Sequence, residues 1–252
     1  MSAPVDAGTI DDVIAQLDDV IDRAVAAESR LGYFAALYRQ VTVAVKHGIE
    51  TGFFADPARM ERLDVIFARR YLDALAQWRA HAEPSGCWAF AFERAASRRP
   101  TVLQHLLLGM NAHINLDLGI AAAQTAPGDQ LPALYDDFCR INAILADLTG
   151  NVQTALADVW PGLGVLLTFV RRSDDVIVNF SMTRAREAAW RVAQQLAPLD
   201  DAHQHAVIAT LDQQVVARAR LIDRPGFTLA TALAAIRLRE RGSVAEIIAV
   251  LR

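Results

Sequence analysis

The chain has 252 residues, 53% of them hydrophobic and 21% charged, with a formal net charge of −4. That is enough chain to bury a sizeable core without staples, and it is too apolar for an intrinsically disordered segment. The charge balance excludes a basic nucleic-acid footprint, since the pairs Arg69–Arg70, Arg98–Arg99 and Arg171–Arg172 are dispersed and diluted by acids.

Taken in chain order, the start MSAPVDAGTIDDV has neither the basic nor the apolar segment of a secretory signal. Thr9 is then an N-cap candidate for a helix over 9–28, with Ile10, Val13, Ile14, Leu17, Val20, Ile21 and Val25 on one stripe. Gly32 precedes a second helix to about Gly48. Asp56 and Pro57 are a cap and a first-turn residue for a third, reaching about His81. EPSGC at 83–87 breaks it, a short helix with Trp88, Phe90 and Phe92 follows, and Pro100 opens a helix that ends near APGD at 126–129. A helix over 131–149, a Trp-containing corner at Pro161, Gly162 and Gly164, and helices over 174–196, 200–222, 228–240 and after Ser243 complete the pattern. The longest clean apolar run, GLGVLLTFV at 162–170, is far below the roughly 20 residues of a membrane span. Cys87 and Cys139 follow no disulfide or zinc spacing. The expectation is one cytoplasmic all-α domain over 1–252. It would be an irregular helical bundle of about nine to eleven helices around a buried helix at about 101–124, with the helices of 200–252 packed on the rest.

The chemistry concentrates on that central helix, in HLLLGMNAHINLD at 105–117. A helical step of about 100° per residue puts Gln104, Asn111 and Asn115 on one stripe and spreads His105, His113 and Asp117 over another sector. Between Gln104 and Ala123 Asp117 is the only charged residue, so the helix is expected to be buried on most sides, with its amides and imidazoles bonded internally. Three readings stand side by side. One is a satisfied polar network that sets helix register. The second is a divalent metal site (zinc, iron or manganese) with His113 and Asp117 as ligands four residues apart, and Asp64 and His105 as further candidates. His105 lies about 12 Å of helix rise from His113, too far to share one ion with it on a straight helix. The third is metal-free acid–base catalysis, with Asp117 orienting His113. In the functional readings Asn111, Asn115 and Asn142 bind substrate. Asp64, in the apolar row Met60, Asp64, Phe67, Tyr71, Ala74 and Trp78, needs a partner, either an arginine such as Arg39 or Arg69 or the central cluster. No dinucleotide, P-loop, HExxH, GxSxG or di-iron ExxH motif occurs.

The run GMNAHINLDL at 109–118, with LQHLL before it and FCRINAIL after it, resembles an uncharacterised bacterial family, a domain of unknown function. FFADPARMERLDVIFARRYLDAL at 53–75 shares that family's spacing, and the resemblance covers roughly 30–195. It implies a helical fold and a recurring set of His105, Asn111, His113, Asn115 and Asp117, with no activity, cofactor or substrate attached. HLLLGMNAH at 105–113 is also loosely similar to the core helix of helical zinc phospholipases and nucleases. Asn111 stands where that pattern has an aspartate ligand, and the proline before its second histidine is missing. The expected function is a metal-dependent or His/Asp acid–base enzyme of hydrolase type acting on a small molecule, with a homo-oligomer left open. Its alternative is a non-catalytic small-molecule-binding module.

Overall fold

Helix α1 (Ile10–Ala26) begins as its cap residues dictate. The Thr9 hydroxyl accepts from Asp12 N at 3.2 Å, and Asp12 Oδ2 accepts from Thr9 N at 2.9 Å, so two otherwise orphaned amides are satisfied within one turn. This computed structural model describes residues 7–159, 182–238, 240 and 242–252. The expected corner at 161–164 and the apolar run at 162–170 lie outside these residues.

Helix α2 (Leu31–Glu50) starts one residue before Gly32 and runs past Gly48. Gly32 does not precede this helix. A Cβ there would stand 2.5 Å from Ile248 Cδ1 and 2.7 Å from Ala24 Cβ, so the glycine lets neighbouring helices approach closely. In α3 (Pro57–Arg79) Asp56 accepts from Arg59 N at 3.0 Å, with Pro57 in the first turn as expected. Helix α4 (Gly86–Ala95) has no cap from its own N-cap residue, Ser85. Asp212 substitutes from far along the chain, accepting from Gly86 N at 2.6 Å and Cys87 N at 2.9 Å.

The central segment is α5 (Val102–Ala112), a π-helical stretch over His113–Asp117, and α6 (Leu118–Thr125). Its N-cap is Thr101, in a capping box with Gln104, and Pro100 sits just outside it. Glu240 adds a second cap, accepting from Val102 N at 2.9 Å. By length and composition Val102–Thr125 is long and apolar enough to cross a membrane, although polar residues interrupt its apolar stretches. Here 94% of its apolar window is buried inside the protein.

After a short 3-10 turn at Gly128–Gln130, α7 (Leu131–Val159) continues ten residues beyond the expected end at 149. Then come α8 (Met182–Leu196), α9 (Asp201–Asp223), α10 (Phe227–Arg237) and α11 (Val244–Leu251). Residues 174–181 of the expected 174–196 helix lie outside the described residues. Among the described residues there is no strand, and the fold is an all-α bundle. Helices α2, α3, α4, α8 and α9 all pack on the central segment, and α11 closes over α1 and α2. Every side of the central segment therefore meets protein, so each of its polar side chains needs an internal partner.

Candidate functional site

The amide stripe is a suture to α9. Gln104 Nε2 donates to the Ile222 carbonyl at 2.8 Å, and Asn111 Nδ2 to the Val215 carbonyl at 3.0 Å. Asn115 Nδ2 donates to Asn111 Oδ1 at 3.1 Å, and Arg218 Nη1 to Asn115 Oδ1 at 3.1 Å. One face of the central segment is thereby zipped to one face of α9. We expect Asn111→Ala to cost about 1–3 kcal/mol, because it removes the bond to the Val215 carbonyl and leaves the Asn115 amide without its acceptor. Urea unfolding measures this, and a loss below about 0.5 kcal/mol would deny the suture its structural weight.

Past Ala112 the helix widens, and the Leu118 amide bonds the His113 carbonyl, five residues back. Such π turns are rare and recur at functional sites. This one carries the His113–Asp117 pair. Asp117 is 1% exposed and takes three donors: Arg70 Nε at 2.8 Å on Oδ1, Trp88 Nε1 at 2.8 Å on Oδ2, and His113 Nδ1 at 3.2 Å on Oδ2. With both oxygens occupied by N–H groups, Asp117 is arranged to orient His113 more than to ligate an ion. The same bond assigns the proton of the neutral imidazole to Nδ1 and leaves Nε2 as an acceptor. Burial lowers the His113 pKa, and the Asp117 bond and charge offset part of that.

Aromatic rings enclose His113. Phe67 stacks on it with centroids 3.6 Å apart and planes 8° apart, and Tyr38 meets it edge-on at 4.4 Å. Phe34, Trp88 and Tyr71 follow at 5.6, 6.0 and 6.3 Å. Inside this region three buried polar atoms have no hydrogen-bond partner: His113 Nε2, Tyr38 Oη and Asp64 Oδ2. Asp64 is not paired with Arg39, which instead binds Asp18 at 2.8 Å. Burial, and secondarily the charge of Glu61, push the Asp64 carboxyl up to about 7.

His105 sits elsewhere. It lines a cleft formed by the start of α2 with α3, α4 and α5, together with Arg30, Phe34, Tyr71, Trp88 and Phe92. The cleft is shallow and half open, with about 20 Å³ of free volume, room for about one water. Gly109 lies in its wall, where a Cβ would fall 2.5 Å from the Phe34 ring, so the glycine holds that ring against α5. His105 is 7% exposed, its Nε2 has no partner, and Tyr33 packs edge-on to its ring at 5.9 Å. Burial, then the charges of Arg30, Arg237 and Arg94, bring its pKa down to about 3, so the ring is neutral.

The predicted residues thus divide into groups. His113 and Asp117 touch, and Asp64 lies one helical turn from Phe67, the ring stacked on His113. Asn111 and Asn115 belong to the suture, and His105 belongs to the cleft. Asn142 is half-buried on α7. Among the described residues, no group of three or more His, Cys, Asp and Glu side chains converges as metal ligands would. Sequence reasoning missed Arg30, Tyr38, Arg70 and Trp88. Trp88 alone left a signal, since a buried indole N–H requires an acceptor.

Fold and site together define an all-α protein built around a buried polar helix, with an aromatic cleft beside it. The family of unknown function DUF5995 matches residues 10–225, and the chain belongs to that family. No curated protein and no solved structure matches it.

Proposed function

We propose that this protein is a small-molecule-binding helical module whose ligand occupies the cleft beside His105. One observation carries the reading: a concave, aromatic-floored site holds a buried imidazole whose Nε2 has no protein partner. Ligand sites combine an apolar wall with a few polar groups that fix orientation, and a buried donor or acceptor without a partner is costly until something satisfies it. With about 20 Å³ of free volume the cleft admits a small polar group, and the rest of a ligand would lie across its open mouth. Phe34, Tyr71 and Trp88 supply its floor, and the indole N–H of that floor is anchored on Asp117.

The test is calorimetric titration with small ring and branched-chain compounds, both charged and neutral. At least one should bind 1:1 with a Kd below about 1 mM. Ala91→Trp, which fills the cleft with a large side chain, should abolish that binding and leave the helical circular dichroism intact. Failure of the whole series to bind, or undiminished binding by the filled variant, would overturn the reading.

A second reading, an acid–base enzyme, is supported by the Asp117–His113 Nδ1 bond and the bare Nε2. Phe34, Tyr71 and Trp88 border both the cleft and His113, so one layer of rings separates a bound guest from this base. The nitrogen chemical shifts of the His113 ring test it. A cleft ligand that reaches the base moves the Nε2 resonance, and an unchanged resonance with the cleft saturated would end this reading.

A further inference from the structure

We propose that α10 and the arginines beside it form a docking surface for an anionic phospholipid membrane, with Phe227 and Leu238 as the side chains that enter it. The proposal does not depend on the cleft. Buried Leu229 and Leu233, with half-buried Ile236, hold α10 to the core. On the opposite side Phe227 is 86% and Leu238 87% exposed, the most exposed large hydrophobic side chains among the described residues. Leu238 keeps helical backbone angles, and eleven residues separate it from Phe227. With a helical step of about 100° the two lie on one face, about 16 Å apart along the axis. Ala230, Thr231, Ala234 and Ala235 fill that face, all exposed and none charged. The Thr231 hydroxyl donates to the Phe227 carbonyl at 3.0 Å, so the one polar side chain there turns back onto its own helix. A helix that is apolar on its outer as well as its buried side is no solvated helix, and such exposed apolar surface marks a contact.

The surroundings are basic. Residues 218–242 hold six arginines against two acids, Asp223 and Glu240, in a chain whose net charge is −4. The side chains of both acids are buried and already bound: Arg94 Nε lies 2.9 Å from Asp223 Oδ1, and Arg237 Nη1 lies 3.1 Å from Glu240 Oε2. Arg237 Nε donates to the Arg98 carbonyl at 2.8 Å, which brings Arg98 and Arg99, distant in sequence, to the flank of α10. Arg98, Arg99 and Arg220 are exposed, and they are in no ion pair among the described residues. Free positive charge beside protruding apolar side chains suits a bilayer with anionic headgroups. The arginines meet the phosphates while the phenyl and isobutyl groups enter the acyl boundary. A second copy of the chain suits the surface less, because a self-complementary pairing would set this basic rim against itself. Two side chains that stand out from a convex helix would also need shaped pockets in a protein partner, whereas lipid requires none.

The test is co-sedimentation of the purified protein with vesicles of phosphatidylcholine and phosphatidylglycerol in equal parts, and with vesicles of phosphatidylcholine alone. The mixed vesicles should be bound about tenfold or more tightly. Phe227→Ser combined with Leu238→Ser should weaken that binding about tenfold or more. The helical circular dichroism should not change, because both side chains are exposed. Arg98→Gln combined with Arg99→Gln should weaken binding several-fold, and salt at about 0.5 M should do the same to the parent protein. No sedimentation with the mixed vesicles, equal binding to both kinds, or undiminished binding by the double serine variant would overturn the proposal. So would a dimer that the serine variant dissociates while vesicles go unbound, which would assign the face to a second copy.

Discussion

Asp117→Ala is expected to cost about 3–5 kcal/mol of stability, the range found when one partner of a buried ion pair is removed and the other is left behind. Among the described residues, Asp117 is the acceptor for the Arg70 Nε, for the Trp88 indole N–H and for His113 Nδ1. Alanine strands all three donors, two of them fully enclosed. Asp117→Asn keeps the volume and one acceptor oxygen, but its NH2 group faces donors, so it should recover only part of the loss. Urea denaturation measures both variants, and the Trp88 indole proton resonance should shift in each. A loss below about 1 kcal/mol for the alanine variant would mean that the carboxylate is not the keystone of this region.

The second large effect is a pH dependence at Asp64. Burial, and secondarily the charge of Glu61, push its carboxyl up to about 7 in the folded protein, against 3.8 for a free side chain. Below about pH 4 the group is protonated in both states. Between about 4 and 7 the unfolded chain has released the proton while the folded protein retains it, so raising the pH favours unfolding. The favourable contribution is lost by about pH 7, and a shift of this size is worth about 4 kcal/mol. The histidines act in the opposite direction over much of the same window. His105, brought down to about 3, must stay neutral in the fold, and protonation of the unfolded chain below about 6.5 draws stability away as pH falls. The profile of the unaltered protein therefore mixes two opposing slopes. The difference between it and Asp64→Asn isolates one of them. The variant should match the parent near pH 4 and exceed it by up to about 4 kcal/mol above pH 7. A stability difference that does not change with pH would show that Asp64 titrates normally and is paired in the fold.

Much of the architecture was legible because its causes are local. Thr9 with Asp12, and Asp56 with Pro57 and Arg59, act within four residues, so the starts of α1 and α3 can be read directly. The start of α4 cannot, because its cap is Asp212, more than a hundred residues away. Gly32 misled for a related reason. A glycine that ends a helix and one that admits a neighbouring helix look alike until Ile248 and Ala24 are seen against it. The π turn broke the uniform helical projection after Ala112, yet the pairs four residues apart, Asn111 with Asn115 and His113 with Asp117, survived it.

The sequence by itself determined that the 102–125 segment would be helical and buried, because a long stretch with a single charge cannot be a solvated face. It also separated the amides from the imidazoles, since that separation follows from helical geometry alone. Only the tertiary structure decided what each group does. Arg70 and Trp88 reach Asp117 from 47 and 29 residues away, and Asn111 reaches the Val215 carbonyl across 104. Arg30 and His105 come to one cleft from different helices. Periodicity records which side of a helix faces inward, whereas the partner waiting there is set by how helices distant in the chain pack, and that depends on the whole core at once.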